Sequence, residues 1–127
     1  MNIDYLEKGS DDCPIIRVYG NEPDSVRLLM KCIADMVNGD IKSKCLNDIK
    51  GFKGINGCKF DIELSSLQKG VIQLSSNNFI CQLSKDGWQE AYELLEPLSE
   101  DSKTGYQWIN ESSAISFLVS RYANGQW

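Results

Sequence analysis

The chain has 127 residues, 42% of them hydrophobic and 24% charged, with a formal net charge of −5 and no histidine. That length and composition describe one globular domain spanning residues 1–127, large enough to bury roughly two-thirds of its unfolded surface without metal or disulfide support. The missing imidazole excludes Ser-His-Asp and Cys-His nucleophile systems, His-ligated zinc and facial-triad iron sites.

The first twelve residues, MNIDYLEKGSDD, have neither a basic n-region nor an apolar h-region, and no run approaches bilayer-spanning length. A cytoplasmic protein without a membrane partner is expected. Residues 14–19, PIIRVY, are rich in β-branched side chains and predict a first strand. Gly20 and Asn21 then turn the chain, and Pro23 with Asp24 and Ser25 marks a helix start. Val26, Leu29, Met30, Ile33 and Val37 recur at helical spacing up to Asn38-Gly39. Leu28 lies on the polar face of that helix, with Cys32 and Met36 towards its edge. The lysine-rich segment 40–57 is expected to cover this small apolar patch. It predicts a short helix or strand around Cys45–Ile49, followed by a loop.

Cys58, Phe60, Ile62 and Leu64 alternate with Lys59, Asp61 and Glu63, the pattern of a half-buried strand. Two more strands follow at 70–74 and 79–83, joined through Ser75-Ser76-Asn77-Asn78. A second helix starts at Ser84 or Asp86, where Asp86 and Gln89 resemble a capping box. Trp88, Ala91, Leu94, Leu95 and Leu98 form its inner stripe, and Pro97 stops it. YQWIN and AISFLVSRY close the chain as a hairpin around Glu111-Ser112-Ser113. The expected fold is α+β: a mostly antiparallel sheet of about five or six strands, with two helices packed on one face.

Chemistry-bearing patterns are few. Asp61 and Glu63 share a strand face, as paired glycosidase carboxylates do. Lys59 completes the same face, however, and simple alternation explains all three. KGFKGING lacks the GxxxxGK[ST] order of a phosphate loop. The cysteines Cys13, Cys32, Cys45, Cys58 and Cys81 are odd in number, widely spaced and without a CxxC, so reduced thiols are expected and no metal site. No catalytic residue and no cofactor are assigned. With a pI near 4.7, nucleic acid is not the expected partner.

The charge distribution is more telling. Residues 84–111 hold seven acids, Asp86, Glu90, Glu93, Glu96, Glu100, Asp101 and Glu111, against Lys85 and Lys103. The excess of five equals the net charge of the whole chain, so the remaining 99 residues are neutral. At 100° per residue Gln89, Glu90, Glu93 and Glu96 share one face, with no basic residue at i+4. The alternatives are a solvated acidic face that aids solubility, and a docking surface for a basic partner. The candidate partner-binding residues are Asp86, Glu90, Glu93, Glu96, Glu100 and Asp101.

The C-terminal segment GYQWINESSAISFLVSRYANGQW resembles the end of small immunity proteins encoded beside bacterial polymorphic toxins, including contact-dependent growth inhibition systems. Tyr106, Gln107, Trp108 and Ile109 match a YQWL-like strand, with Ile109 in place of the commoner leucine. Ile115, Phe117, Leu118 and Ser120 match the next strand, Gly125 and Trp127 a terminal glycine–x–tryptophan, and the intervening turn differs in length. The resemblance implies a non-enzymatic cytoplasmic inhibitor of one secreted toxin domain, often a nuclease, with no catalytic residues to carry over. A basic cognate toxin is therefore the expected protein partner. A regulatory or adaptor domain with an acidic docking helix, a subunit that homo-oligomerises through an open sheet edge, and a carboxylate-only enzyme are the competing readings.

Overall fold

The computed structural model describes every residue except Asp11, Asp12 and Ser112, and omits the side chain of Ser10. Ser112, in the middle of the expected hairpin turn, therefore lies outside the described residues. The fold is α+β, as the sequence predicts. Its strands divide into two mixed sheets, where the sequence suggests one.

The first sheet has the order β4-β1-β2-β9-β8. It comprises β1 (Asn2–Ser10), β2 (Cys13–Tyr19), β4 (Lys53–Gly54), β8 (Tyr106–Asn110) and β9 (Ser116–Ser120). The second has the order β3-β5-β7-β6, from β3 (Ser43–Cys45), β5 (Lys59–Leu64), β6 (Gly70–Ser75) and β7 (Asn78–Leu83). β2 runs parallel to β9, β5 parallel to β7 and β1 parallel to β4, while the other pairs are antiparallel. β1 falls outside the strands read from the sequence. Its period-2 signal is present all the same: Met1 and Ile3 are buried while Asn2 and Asp4 are not, before a bulge between Leu6 and Ser10 breaks the register.

Helix α1 (Pro23–Val37) begins with Pro23 in its first turn, where a missing N–H costs nothing. Val26, Leu29, Met30, Ile33 and Met36 are buried along it. Helical spacing sets Met36 at the edge of the stripe, but it lies wholly inside, in one core cluster with Leu46 and Ile49 of the segment after the helix. Leu28 keeps 39% of its surface exposed and Cys32 is half-buried; both line a cleft of about 250 Å³ walled by Lys44, Asp48, Ile49 and Lys50. The segment 40–57 thus covers the patch in part. It contains β3, a 3-10 turn at Leu46–Asp48, β4 and a second turn at Ile55–Gly57.

Helix α2 (Lys85–Leu95) is capped by Ser84, whose hydroxyl accepts from the Gly87 N–H at 3.2 Å. Ser84 is the N-cap, and Asp86 sits in the first turn, so the capping box expected at Asp86 and Gln89 is not the one used. A 3-10 turn, Glu96–Ser99, continues past Leu95 with Pro97 near its start and Leu98 buried. Trp88, Ala91 and Leu95 are buried, and the Trp88 indole donates to the Glu63 carbonyl at 2.9 Å, tying α2 to the second sheet.

The two sheets and both helices share one apolar core. Phe60 of β5 meets Phe117 of β9 edge-to-face at 4.9 Å, and Tyr5 meets Phe79 at 4.6 Å, so the inner faces of the sheets lie against each other. Cys58 and Cys81 belong to this core, as strand phasing predicts, and all five cysteines are free thiols. Burial pushes the Cys58 thiol up to about 11, with a smaller push from Asp4, and raises Cys81 further.

The outer face of the first sheet carries a second cluster. Arg17 donates to both oxygens of Asp4, at 3.0 and 2.7 Å, lies 4.1 Å from the Tyr19 ring centre, and donates to the carbonyls of Asn124 and Gly125. Ser120 donates to the Gln126 carbonyl at 2.8 Å, and Trp127 packs edge-on against Trp108. Residues 124–127 are therefore clasped onto the sheet. Gly125 has φ +73°, and a Cβ there would lie 2.5 Å from Arg17 Nη1, so the position requires glycine. Trp108, Ser120, Gly125 and Trp127, read as parts of a terminal motif, thus build one structural latch.

Candidate functional site: an acidic helix and its support

Asp86, Glu90 and Glu93 project from α2, Glu96 from the 3-10 turn, and Glu100 and Asp101 from the loop that follows. All six are exposed. One chain segment therefore delivers the whole candidate set to the surface, because the helix buries Trp88, Ala91 and Leu95 and turns its other side outward. Among the described residues only Asp101 of the six forms an ion pair. It accepts from Arg27 at 2.6 Å, and Arg27 also binds Asp24 in its own helix. The bond to Asp101 is the main cause that raises the Arg27 pKa.

The placement runs against helix electrostatics. A helix C-terminus is the negative end of its dipole, which favours cations. The last turn of α2 has no basic residue, and Glu93 and Glu96 lie at that end. These charges therefore cost folding free energy. Glu90 and Glu93, three apart, add a mild repulsion.

The loop after the helix is anchored from inside. Arg121, just past β9, is buried and donates to the carbonyls of Leu98 at 2.5 Å, Glu100 at 2.9 Å and Asp101 at 3.5 Å, and to Asn21 Oδ1 at 2.9 Å. Its partners are carbonyl-type oxygens, and Arg121 Nε is buried without a hydrogen-bond partner among the described residues. The sequence assigns Arg121 only to a closing strand and does not disclose this role. A lone arginine after an apolar strand carries no signal of what it will bind. Between α1 and this turn lies an open cleft of about 320 Å³, with Arg27 and Lys31 on one wall and Tyr92 and Ser99 on the other.

The other candidates resolve into packing. Glu63 accepts from Gln82 at 2.7 Å and is half-buried, as is Asp61; only Lys59 of that strand face is fully exposed. Asp61 is the register partner of Cys45, whose thiol is pushed up by burial first and by Asp61 second. In KGFKGING, a Cβ at Gly54 would lie 2.0 Å from the Cys58 carbonyl, so close approach of two backbones explains that glycine. Asn47 ties the 3-10 turn at Leu46–Asp48 to the start of β5, donating to the Cys58 carbonyl and accepting from the Phe60 N–H. Among the described residues no three Cys, Asp or Glu side chains are grouped as metal ligands are. Among the described residues no helix is long and apolar enough to cross a membrane. No protein-family model, curated protein or solved structure matches the chain.

Proposed function

We propose that the protein is an immunity protein, which binds a cognate secreted toxin domain in the cytoplasm and neutralises it. The toxin is a basic protein, a nuclease by the C-terminal resemblance, and docks on the face built by Asp86, Glu90, Glu93, Glu96, Glu100 and Asp101. One observation carries this reading. Glu93 and Glu96 are exposed, unpaired among the described residues and sited at the helix end where electrostatics disfavours them. A charge retained against folding stability is accounted for by a partner that uses it. Opposed charges steer encounter and fix register.

The test is a kinetic binding measurement against the toxin domain encoded beside this gene, at two salt concentrations. The Glu93→Lys/Glu96→Lys variant is expected to keep the fold, gain up to about 1 kcal/mol of stability, and associate at least about tenfold more slowly at low salt. Raising salt should slow the wild type in the same direction, since exposed charges are screened beyond about 8 Å at physiological ionic strength. An association rate indifferent to both changes would reduce the acidic segment to a solvated face.

A further inference from the structure

β8 pairs with β9 alone and forms one edge of the first sheet. The Arg121 N–H donates to the Gly105 carbonyl at 2.8 Å, so Gly105 faces β9. Antiparallel ladders alternate, which turns Gln107 towards β9 as well and directs the N–H and C=O of Tyr106 and Trp108 to the open side. The side chains of Tyr106 and Trp108 lie on the latch face. Tyr106 is 42% exposed and Trp127, packed on Trp108, is 40% exposed. Such an edge lacks the charges and prolines that usually block pairing with another strand.

The residues about Gln107 are self-complementary. Tyr106 and Trp108 flank it at one position on either side, and Lys103 and Glu111 lie at four. Both charged residues are exposed, and among the described residues neither forms an ion pair. We propose that the protein self-associates through β8, which pairs antiparallel with β8 of a second copy about a two-fold axis at Gln107. Tyr106 then exchanges two backbone hydrogen bonds with the partner's Trp108, and the reciprocal pair forms two more. The same operation brings each Lys103 beside the partner's Glu111. The flexible lysine stem spans the irregularity at Ile109, where the β8–β9 register shifts. A second copy is the fitting occupant because the charges match only reciprocally, which is the hallmark of an isologous two-fold contact. An edge this short makes a weak, concentration-dependent dimer.

This inference does not rest on the toxin reading, and its assay contains no toxin. Sedimentation velocity is measured from about 10 μM to 1 mM on the wild type, on Lys103→Glu and on Glu111→Lys. The wild type should move from monomer towards dimer. Either single reversal opposes like charges twice across the axis and should raise Kd about tenfold or more. In an equimolar mixture, the glutamate introduced in one variant meets the lysine introduced in the other, and the unchanged Glu111 of the first meets the unchanged Lys103 of the second. Dimer should therefore return, and its return also shows that both variants are folded. A wild type that stays monomeric to 1 mM overturns the proposal. So do single variants that dimerise like the wild type, or a mixture of folded variants, judged by circular dichroism, that stays monomeric.

Discussion

Replacing Arg121 with methionine isolates what holds the acidic loop. The guanidinium donates to three carbonyls of residues 98–101 and to Asn21 Oδ1, and it is buried. Bonds to a charged donor contribute about 1.5–3 kcal/mol each, which would give about 6–12 kcal/mol for four. Burying the guanidinium without a carboxylate costs several kcal/mol, which offsets part of this; the net loss in Arg121→Met is about 3 kcal/mol, since the variant strands the buried Leu98 carbonyl and takes the donor from three part-buried oxygens, at roughly 1–3 kcal/mol per unsatisfied group. With an m-value of about 1.5 kcal/mol/M, the urea midpoint should fall by about 2 M. Hydrogen exchange should show residues 98–103 opening before the β2–β9 ladder, since the loop loses its anchor while the strands keep theirs. Arg121→Lys keeps the charge but reaches fewer carbonyls, and should fall between the two. A loss under about 1 kcal/mol in the methionine variant, the size of one ordinary hydrogen bond, would refute the claim that Arg121 is the anchor.

Trp88→Ala should cost about 3–5 kcal/mol by equilibrium unfolding, because it empties a fully buried site and strands the Glu63 carbonyl; a midpoint near wild type would mean α2 is rotated. Thiol titration of the native protein should label Cys13, Cys32 and Cys45 readily and Cys58 and Cys81 only on unfolding, since the first three are half-exposed and the last two buried. The Cys58 pKa is raised from 9.0 to about 11, so its stabilising effect is complete below pH 9 and is lost as pH rises through 11. An alkaline stability scan that stays flat across that window would contradict its burial. Gly125→Ala forces a β-carbon into left-handed backbone against Arg17 and should cost about 1–2 kcal/mol, read as a fall of a few degrees in Tm.

Periodicity made much of this protein legible from the chain alone. The stripe Val26, Leu29, Met30 and Ile33 specified α1, the alternation of Phe60 and Ile62 with Asp61 and Glu63 specified the buried face of β5, and the uncompensated acids of 84–111 located the candidate surface. These are local properties, set by which side of an element must leave water. Tertiary structure decided which strands pair, and no local pattern encodes that choice. β2 lies parallel to β9 from the far end of the chain, and β7 takes the place between β5 and β6. Such pairings are selected by how the apolar faces close on one another, and they split the strands into two facing sheets instead of one. The same closure buried Arg121 under the acidic loop and drew Trp108, Gly125 and Trp127 onto the face that carries Arg17. A charged or aromatic residue acquires such a role only when distant segments arrive beside it.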